Sequence, residues 1–257
     1  VITMLPLIDD PVTIYTIRLG DDALIAGHRL SEWTGSAPLL EEELALANVA
    51  LDLLGRARLC YGYAAERVGQ DCTEDRFAYE RDCRDFTNHL IHELPRGDFA
   101  FTMARQYLID CLAVPFLDTL ARSGDSRLGD IGAKCVKESR YHLRRSADWM
   151  FRLGDGTDES HQRLQAAVDE LWGFTPELFV QDALEAELVA AGIAVDLQPL
   201  HEAWLTGVEQ TVSRVGIVLP PLDWQVDGGR RGLHTEHLGH LLSELQFVQR
   251  AYPGLQW

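Results

Sequence analysis

Residues 107–117 read YLIDCLAVPFL, and Asp110 is the only charge in that run. Apolar residues this dense fit a helix buried nearly all round, where a carboxylate must find a partner, a metal or a proton. The run sits in a helical pattern predicted over 98–122, between a Pro95-Arg96-Gly97 turn and a Ser123-Gly124-Asp125 turn. One buried helix implies others to bury it.

The pattern outward from this stretch supplies them. Amphipathic spacing predicts helices over 14–33, 39–68 and 126–153, with a shorter one over 74–88. Short connections between long helices imply antiparallel neighbours, so these four long helices predict a four-helix core. Beyond Gly154 come smaller helices over 157–174, 181–191 and 196–215. In the last of these Leu197, Leu200, Trp204, Val208, Thr211, Val212 and Val215 form one stripe, to be laid against the bundle. Residues 217–233, with two prolines and three glycines, predict an irregular connector. A final helix starts near His234, with Leu238, Leu241, Leu242, Leu245 and Val248 as its apolar stripe. No alternating strand-like run separates these patterns, so the class is all-α. The expected organisation is a single domain over 1–257, with a core bundle over 14–153 and packed helices over 157–252.

Composition narrows the function. The formal net charge is −17, from 40 acidic and 23 basic residues, and such a field repels phosphate backbones and anionic membrane surfaces. Nucleic acid and membrane are therefore not expected as partners. No stretch reaches the roughly 18 apolar residues of a membrane span. Asp9 and Asp10 stand where a secretory signal would be basic, and Met4 is a candidate natural start. The five cysteines (Cys60, Cys72, Cys83, Cys111, Cys135) include no C-x-x-C pair and read as reduced thiols. A cytoplasmic protein is expected.

Ionisable residues inside apolar helices are the informative feature. In ALANVALDLLGRA, Asn48, Asp52 and Gly55 lie on one narrow face, with Asp52 directed toward the bundle axis. On the 126–153 helix, Ile131, Cys135, Glu138, His142 and Trp149 align. The first helix offers His28 and Glu32 at a one-turn separation. Inward carboxylates and histidines from four helices are how ferritin-like proteins build a di-iron site, with Glu from two helices and Glu-x-x-His from the other two. Neither motif is present in strict form, since Asp52 is followed at i+3 by Gly55 and His142 is preceded at i−3 by Ser139. The simpler reading is a metal-free bundle with buried ion pairs: Asp52 with Arg56, Glu138 with His142 or Lys134, and Asp110 with Arg105 or a neighbouring helix.

Two further motifs carry alternatives. His234-Thr-Glu-His237 with His240 has H-x-x-H steps suited to zinc, but Glu236 lies off the H-E-x-x-H pattern and a polar helix start fits better. In DGGRRG, Arg230 and Arg231 beside flexible glycines suit a phosphate such as those of a CoA thioester, while a solvated turn is the plainer reading.

The strings YTIRLGDDALIAGHRLSEWTG (15–35), LALANVALDLLGRAR (44–58), ARQYLID (104–110), KESRYHLRRSADWMFRLGDGTD (137–158) and GLHTEHLGHLLSELQFVQR (232–250) closely resemble the PaaC-type subunits of phenylacetyl-CoA epoxidase complexes. The resemblance runs from about Thr13 to the C-terminus. It implies an all-α, ferritin-like four-helix bundle with additional C-terminal helices. It also implies membership of a bacterial multicomponent monooxygenase of phenylacetate breakdown, which uses O2 and NADPH. The implied partners are a PaaA-type catalytic subunit holding the di-iron centre, a small third subunit, and a reductase carrying iron-sulfur and flavin. This chain would be structural, with no catalytic residue and no cofactor of its own. Carried over, the family's ligand pattern places Glu32 at the first-helix Glu and Asp110 at the third-helix acid. Asp52 and Gly55 fall on the first Glu-x-x-His, and Ser139 and His142 on the second. With two ligands replaced by Gly55 and Ser139, these positions read as vestigial. The alternatives to a structural subunit are a self-contained ferritin-like di-metal oxidoreductase with an altered ligand set, and a helical adaptor.

Overall fold

The computed structural model describes residues 8–69, 72–253 and 255, so Met4 lies outside the described residues. Its long elements are α1 (Pro11–Ser31), α2 (Leu40–Val68), α5 (Phe99–Leu120) and α6 (Ser126–Gly154). Between the two pairs lie the short helices α3 (Glu74–Tyr79) and α4 (Leu90–Glu93). After them come α7 (Asp158–Leu171), α8 (Ala183–Ala190), α9 (Gln198–Arg214), α10 (Glu236–Leu245) and α11 (Phe247–Ala251). No strand occurs among the described residues. This is an all-α, ferritin-like bundle with additional C-terminal helices. No described helix is long and apolar enough to cross a membrane.

Helix starts follow their capping chemistry. α1 begins at Pro11, three residues before the predicted start, because the Asp10 carboxylate accepts from Thr13 N at 2.9 Å and proline fits the first turn. Asp98 caps α5 through Phe101 N at 2.8 Å. Asp125 caps α6 through Arg127 N and Leu128 N, each at 3.0 Å. α1 packs along α2, α5 along α6, and α2 meets α6 to close the core. At one crossing a glycine is required: a Cβ on Gly132 of α6 would lie 2.5 Å from Ala121 N and 2.9 Å from Leu117 O. Backbone approach this close lets the largest core cluster, including Leu117, Leu120, Leu128 and Cys135, pack across the α5–α6 seam.

The helix predicted over 74–88 is interrupted. It stops at Tyr79, and residues up to 89 run through a single 3-10 turn, Cys83–Asp85, because side chains of α1 claim the backbone. Asp21, fully buried, accepts from Thr87 N at 2.8 Å, from Tyr61 Oη at 2.6 Å and from Arg81 at 3.1 Å. Asp22 accepts from His89 N at 2.8 Å. A continuous helix would have used those amide groups internally.

The outer helices lie where their stripes direct them. On α9, Trp204, Val208 and Val212 are buried, and Trp204 Nε1 donates to Leu108 O of α5 at 2.9 Å. On α10, Leu238, Leu241 and Leu242 are buried, whereas Val248 on α11 stays 40% exposed. The connector over 217–233 is irregular apart from a 3-10 turn at Gly229–Arg231. Glu177, itself buried, accepts from Gly228 N at 2.9 Å, Gly229 N at 2.8 Å and Leu90 N at 2.7 Å, which pins the connector to the start of α4. All five cysteines are free.

Asp21 is the most heavily used carboxylate of this framework. Removing it strands the buried guanidinium of Arg81. Asp21→Ala should destabilise the chain by roughly 3–5 kcal/mol, read by urea unfolding; a loss under about 1 kcal/mol would mean that the cluster is solvated.

Candidate functional site

Two polar clusters face each other across a cavity of about 110 Å³ inside the bundle, lined among others by Tyr15, Asp22, Arg56, His92, Gln106 and Asp110. The first joins α2, α5 and α6. Here His142 Nε2 lies 3.0 Å from Asp52 Oδ2, and Arg56 Nη2 donates to Ser139 Oγ at 2.6 Å. Asp110 accepts from Ser146 Oγ at 2.8 Å and from Gln106 Nε2 at 2.7 Å. Burial raises the Asp110 carboxyl to about 7, against the lowering effect of those two donors. Burial also lowers the His142 imidazole, opposed by Asp52.

The structure brings four of the six positions that the resemblance matches to ligands into this cluster: Asp52, Asp110, Ser139 and His142. It leaves two outside. Glu32 caps the end of α1, where it is ion-paired to Arg29. Gly55 is exposed, with nothing within 4 Å of a Cβ built on it, and Asn48 is exposed as well. The narrow face of Asn48, Asp52 and Gly55 therefore runs along the outer shoulder of α2, and it is the next residue round, Arg56, that reaches inward. Asp110 does not pair with Arg105, whose guanidinium donates to Leu94 O and Pro95 O. Glu42, which helical spacing does not single out, accepts from Trp149 Nε1 at 3.0 Å and from Arg145.

A di-iron centre does not fit these residues. Two iron ions need a set of anionic and imidazole donors, and this set has one carboxylate bonded to His142, another that is half protonated near neutral pH, a serine, and a guanidinium at its middle. The fixed positive charge of Arg56 repels a cation.

The second cluster joins α1, α4, α8 and the connector. Arg230 donates through Nη2 to Asp22 Oδ2 at 2.8 Å and through Nη1 to Asp22 Oδ1 at 3.2 Å and to Thr87 O. Arg18 donates to Glu185 at 2.9 Å and to Asp182 at 2.6 Å. Although burial opposes ionisation of Asp22, the Arg230 guanidinium, with help from His89, holds its carboxyl well below the usual range. The two arginines of DGGRRG thus part company: Arg230 is part-buried and bonded within the chain, whereas Arg231 stays exposed in an ion pair with Asp227 at 2.8 Å. His234, from the H-x-x-H motif, bonds Glu93 at 2.7 Å and Phe86 O at 2.8 Å, and Thr235 is the N-cap residue of α10. Apolar periodicity does not mark Asp22, His89 or His92 as a group. Only the H-x-x-H spacing of His89 and His92 could have signalled them.

The Asp110 environment sets a pH dependence. Its folded pKa, about 7, lies above the unfolded value near 4, so the folded state binds the proton more tightly. Its contribution is fully favourable below about pH 4 and is lost as pH rises to about 7. Asp110→Asn, whose amide Gln106 can meet by turning its own, should be more stable than the parent at about pH 8 by over about 1 kcal/mol. That advantage should vanish toward about pH 4 in urea titrations across pH; a parallel profile for both proteins would refute the assignment.

The sequence matches the family described as Phenylacetic acid catabolic protein over residues 3–257. It is 49% identical over 246 residues to the PaaC-type subunit of the 1,2-phenylacetyl-CoA epoxidase of Escherichia coli (strain K12), an alignment that covers 96% of this chain and 99% of that protein. The chain belongs to the phenylacetic acid catabolic protein family, as a PaaC-type member.

Proposed function

We propose that this chain is the non-catalytic structural subunit of a 1,2-phenylacetyl-CoA epoxidase complex, and that it pairs with a related PaaA-type chain that holds the di-iron centre. The relative at 49% identity supports the complex. The observation that carries the non-catalytic reading is the Arg56 guanidinium bonded to Ser139 in the middle of the bundle, where iron chemistry would need anionic donors. Iron, iron-sulfur and flavin then belong to the other subunits, and the substrate is an aromatic CoA thioester bound by the complex.

A pairing surface is supported by the outer side of α2. Leu40, Leu44 and Leu51 are 68%, 58% and 65% exposed and recur at helical spacing on the 29-residue helix. Leu51 on α2 and Tyr141 on α6 are both exposed, each one position before a residue of the Asp52–His142 bond that joins the two helices. Beyond it on α6 stand Lys134, Lys137 and Arg144, all exposed and without an ion pair among the described residues. In a chain of net charge −17, unpaired cations beside a leucine ridge suit a partner with an acidic, apolar helical face.

Turnover of phenylacetyl-CoA by the reconstituted complex tests the reading. Omission of this chain should abolish epoxidation. Leu44→Glu with Leu51→Glu should prevent co-elution with the PaaA-type chain on size exclusion. Asp52→Ala and His142→Ala variants that still assemble should retain activity within about tenfold. A correctly assembled variant slowed by more than about a hundredfold, roughly 2.7 kcal/mol, would make this chain a chemical participant.

A further inference from the structure

We infer that Asp22, His89 and His92 form a binding site for one divalent transition-metal ion of the zinc type, with Arg230 as a guanidinium that must move aside to admit it. This site is separate from the vestigial positions and is independent of the function proposed above. The three residues come from two segments that the fold presses together: Asp22 from the middle of α1, His89 from the N-cap of α4 and His92 from within α4. Their ligand atoms all lie within 4.8 Å of one another. His89 Nδ1 is 3.4 Å from Asp22 Oδ2, and His92 Nε2 is 3.7 Å from Asp22 Oδ1. Donors about 2.1 Å from a tetrahedral ion stand roughly 3.4 Å apart, so small side-chain adjustments suffice.

The second observation is the state of His92. It is 6% exposed, its ring makes no hydrogen bond within the described residues, and its Nδ1 is buried without a partner. Buried imidazoles are normally hydrogen-bonded, and here Nε2, the nitrogen nearer Asp22, makes no hydrogen bond in a ring that lines the cavity, so its lone pair is open to a ligand there while Nδ1 carries the proton. Burial, outweighing the pull of Asp22, lowers its pKa to about 3, which keeps the ring neutral and able to ligate at neutral pH. The cavity has room for a water as the fourth ligand, since one water needs only about 10–15 Å³. Two imidazoles and one carboxylate favour zinc, cobalt or a similar ion over magnesium or calcium, which take oxygen donors.

Arg230 supplies the site's charge balance without a metal. Its Nη2 is 3.3 Å from His89 Nδ1 as well as 2.8 Å from Asp22, so it engages two of the three ligands. A dication and a guanidinium cannot share that position. Glu185, whose Oε1 is already 3.8 Å from Arg230 Nε, offers an alternative carboxylate to which the arginine can turn. The wild-type affinity is then set by competition between a mobile ion and a tethered one.

Chelator-treated full-length chain is titrated with Zn2+ against a chromophoric competitor, and separately with Co2+ by visible absorption. We expect one ion per chain, with the intense d–d bands of a four-coordinate Co2+ site. His92→Asn should weaken binding by about 10–100-fold and Arg230→Met should tighten it by at least about tenfold, while His142→Asn, in the other cluster, leaves it unchanged. Circular dichroism confirms that each variant is folded. Should Arg230→Met fail to fold, the Co2+ spectrum of the wild-type chain decides alone, because a six-coordinate spectrum or none refutes the site. Absence of saturable binding in the wild-type chain, or binding that survives His92→Asn, overturns the inference.

Discussion

A charge buried in a helical bundle has to be answered by another group within reach of a hydrogen bond, and this requirement organises the molecule. Arg18, Arg29, Arg81 and Arg105 are all under one tenth exposed. Each is met from a different segment: Arg18 by Asp182 and Glu185, Arg29 by the carbonyls of Glu93 and His237, Arg81 by Asp21, and Arg105 by the carbonyls of Leu94 and Pro95. Leu94 and Pro95 lie in irregular backbone just past α4 and Asp182 caps α8, while Asp21, Glu93, Glu185 and His237 lie in α1, α4, α8 and α10. Buried guanidinium groups therefore fix the shorter helices and their connections onto α1 and α5. The buried carboxylates of Glu93 and Glu177 do the converse, collecting backbone amides of the connector and of the α4 and α10 starts.

Such pairs add little net stability, because the desolvation of both partners offsets most of their attraction. What they add is specificity. A leucine in place of Arg81 would pack in many orientations, whereas the guanidinium fork fits Asp21, the Phe77 carbonyl and the Asp85 carbonyl together in one. The segment after α3 is thereby held open as a path along α1, which delivers His89 and His92 to Asp22. The composition of the candidate metal site is thus a consequence of how Asp21 breaks the neighbouring helix.

The four long helices were legible in the sequence because their determinants are local: apolar stripes at helical spacing, the turns at 95–97 and 123–125, and glycine at the end of α2, whereas the Asp10 cap that starts α1 three residues early was not read. Asp110 was legible as a buried acid for the same reason. Gln106, one turn away, was within local reach, but Ser146 was not, since it is 36 residues away and only the α5–α6 register selects it over Arg105. Arg230 was legible as a cation but not as one bonded within the chain, because its partner Asp22 is 208 residues distant. The break after Tyr79 was hidden likewise, for it is imposed by carboxylates more than 60 residues upstream. Period 3.6 reports which face is apolar. It reports nothing about which remote polar group will claim a backbone amide.

The placement of Arg56 and Arg230 on opposite sides of one cavity gives the two clusters a common logic. In each, a guanidinium stands among carboxylate and imidazole groups of the kind that bind metals, and a tethered cation differs from a bound ion in one respect: it cannot leave. At the bundle centre that permanence suits a scaffold, because Arg56 is anchored on α2 and joins it to Ser139 of α6 whatever the metal supply. The opposite side of α2 carries the leucine ridge, so the inner arginine fixes the register of the very helix that presents the outer surface. Arg230, by contrast, projects from a connector of glycines and has a second carboxylate, Glu185, beside it. Of the two guanidinium groups, Arg230 is the one with a second carboxylate to turn to.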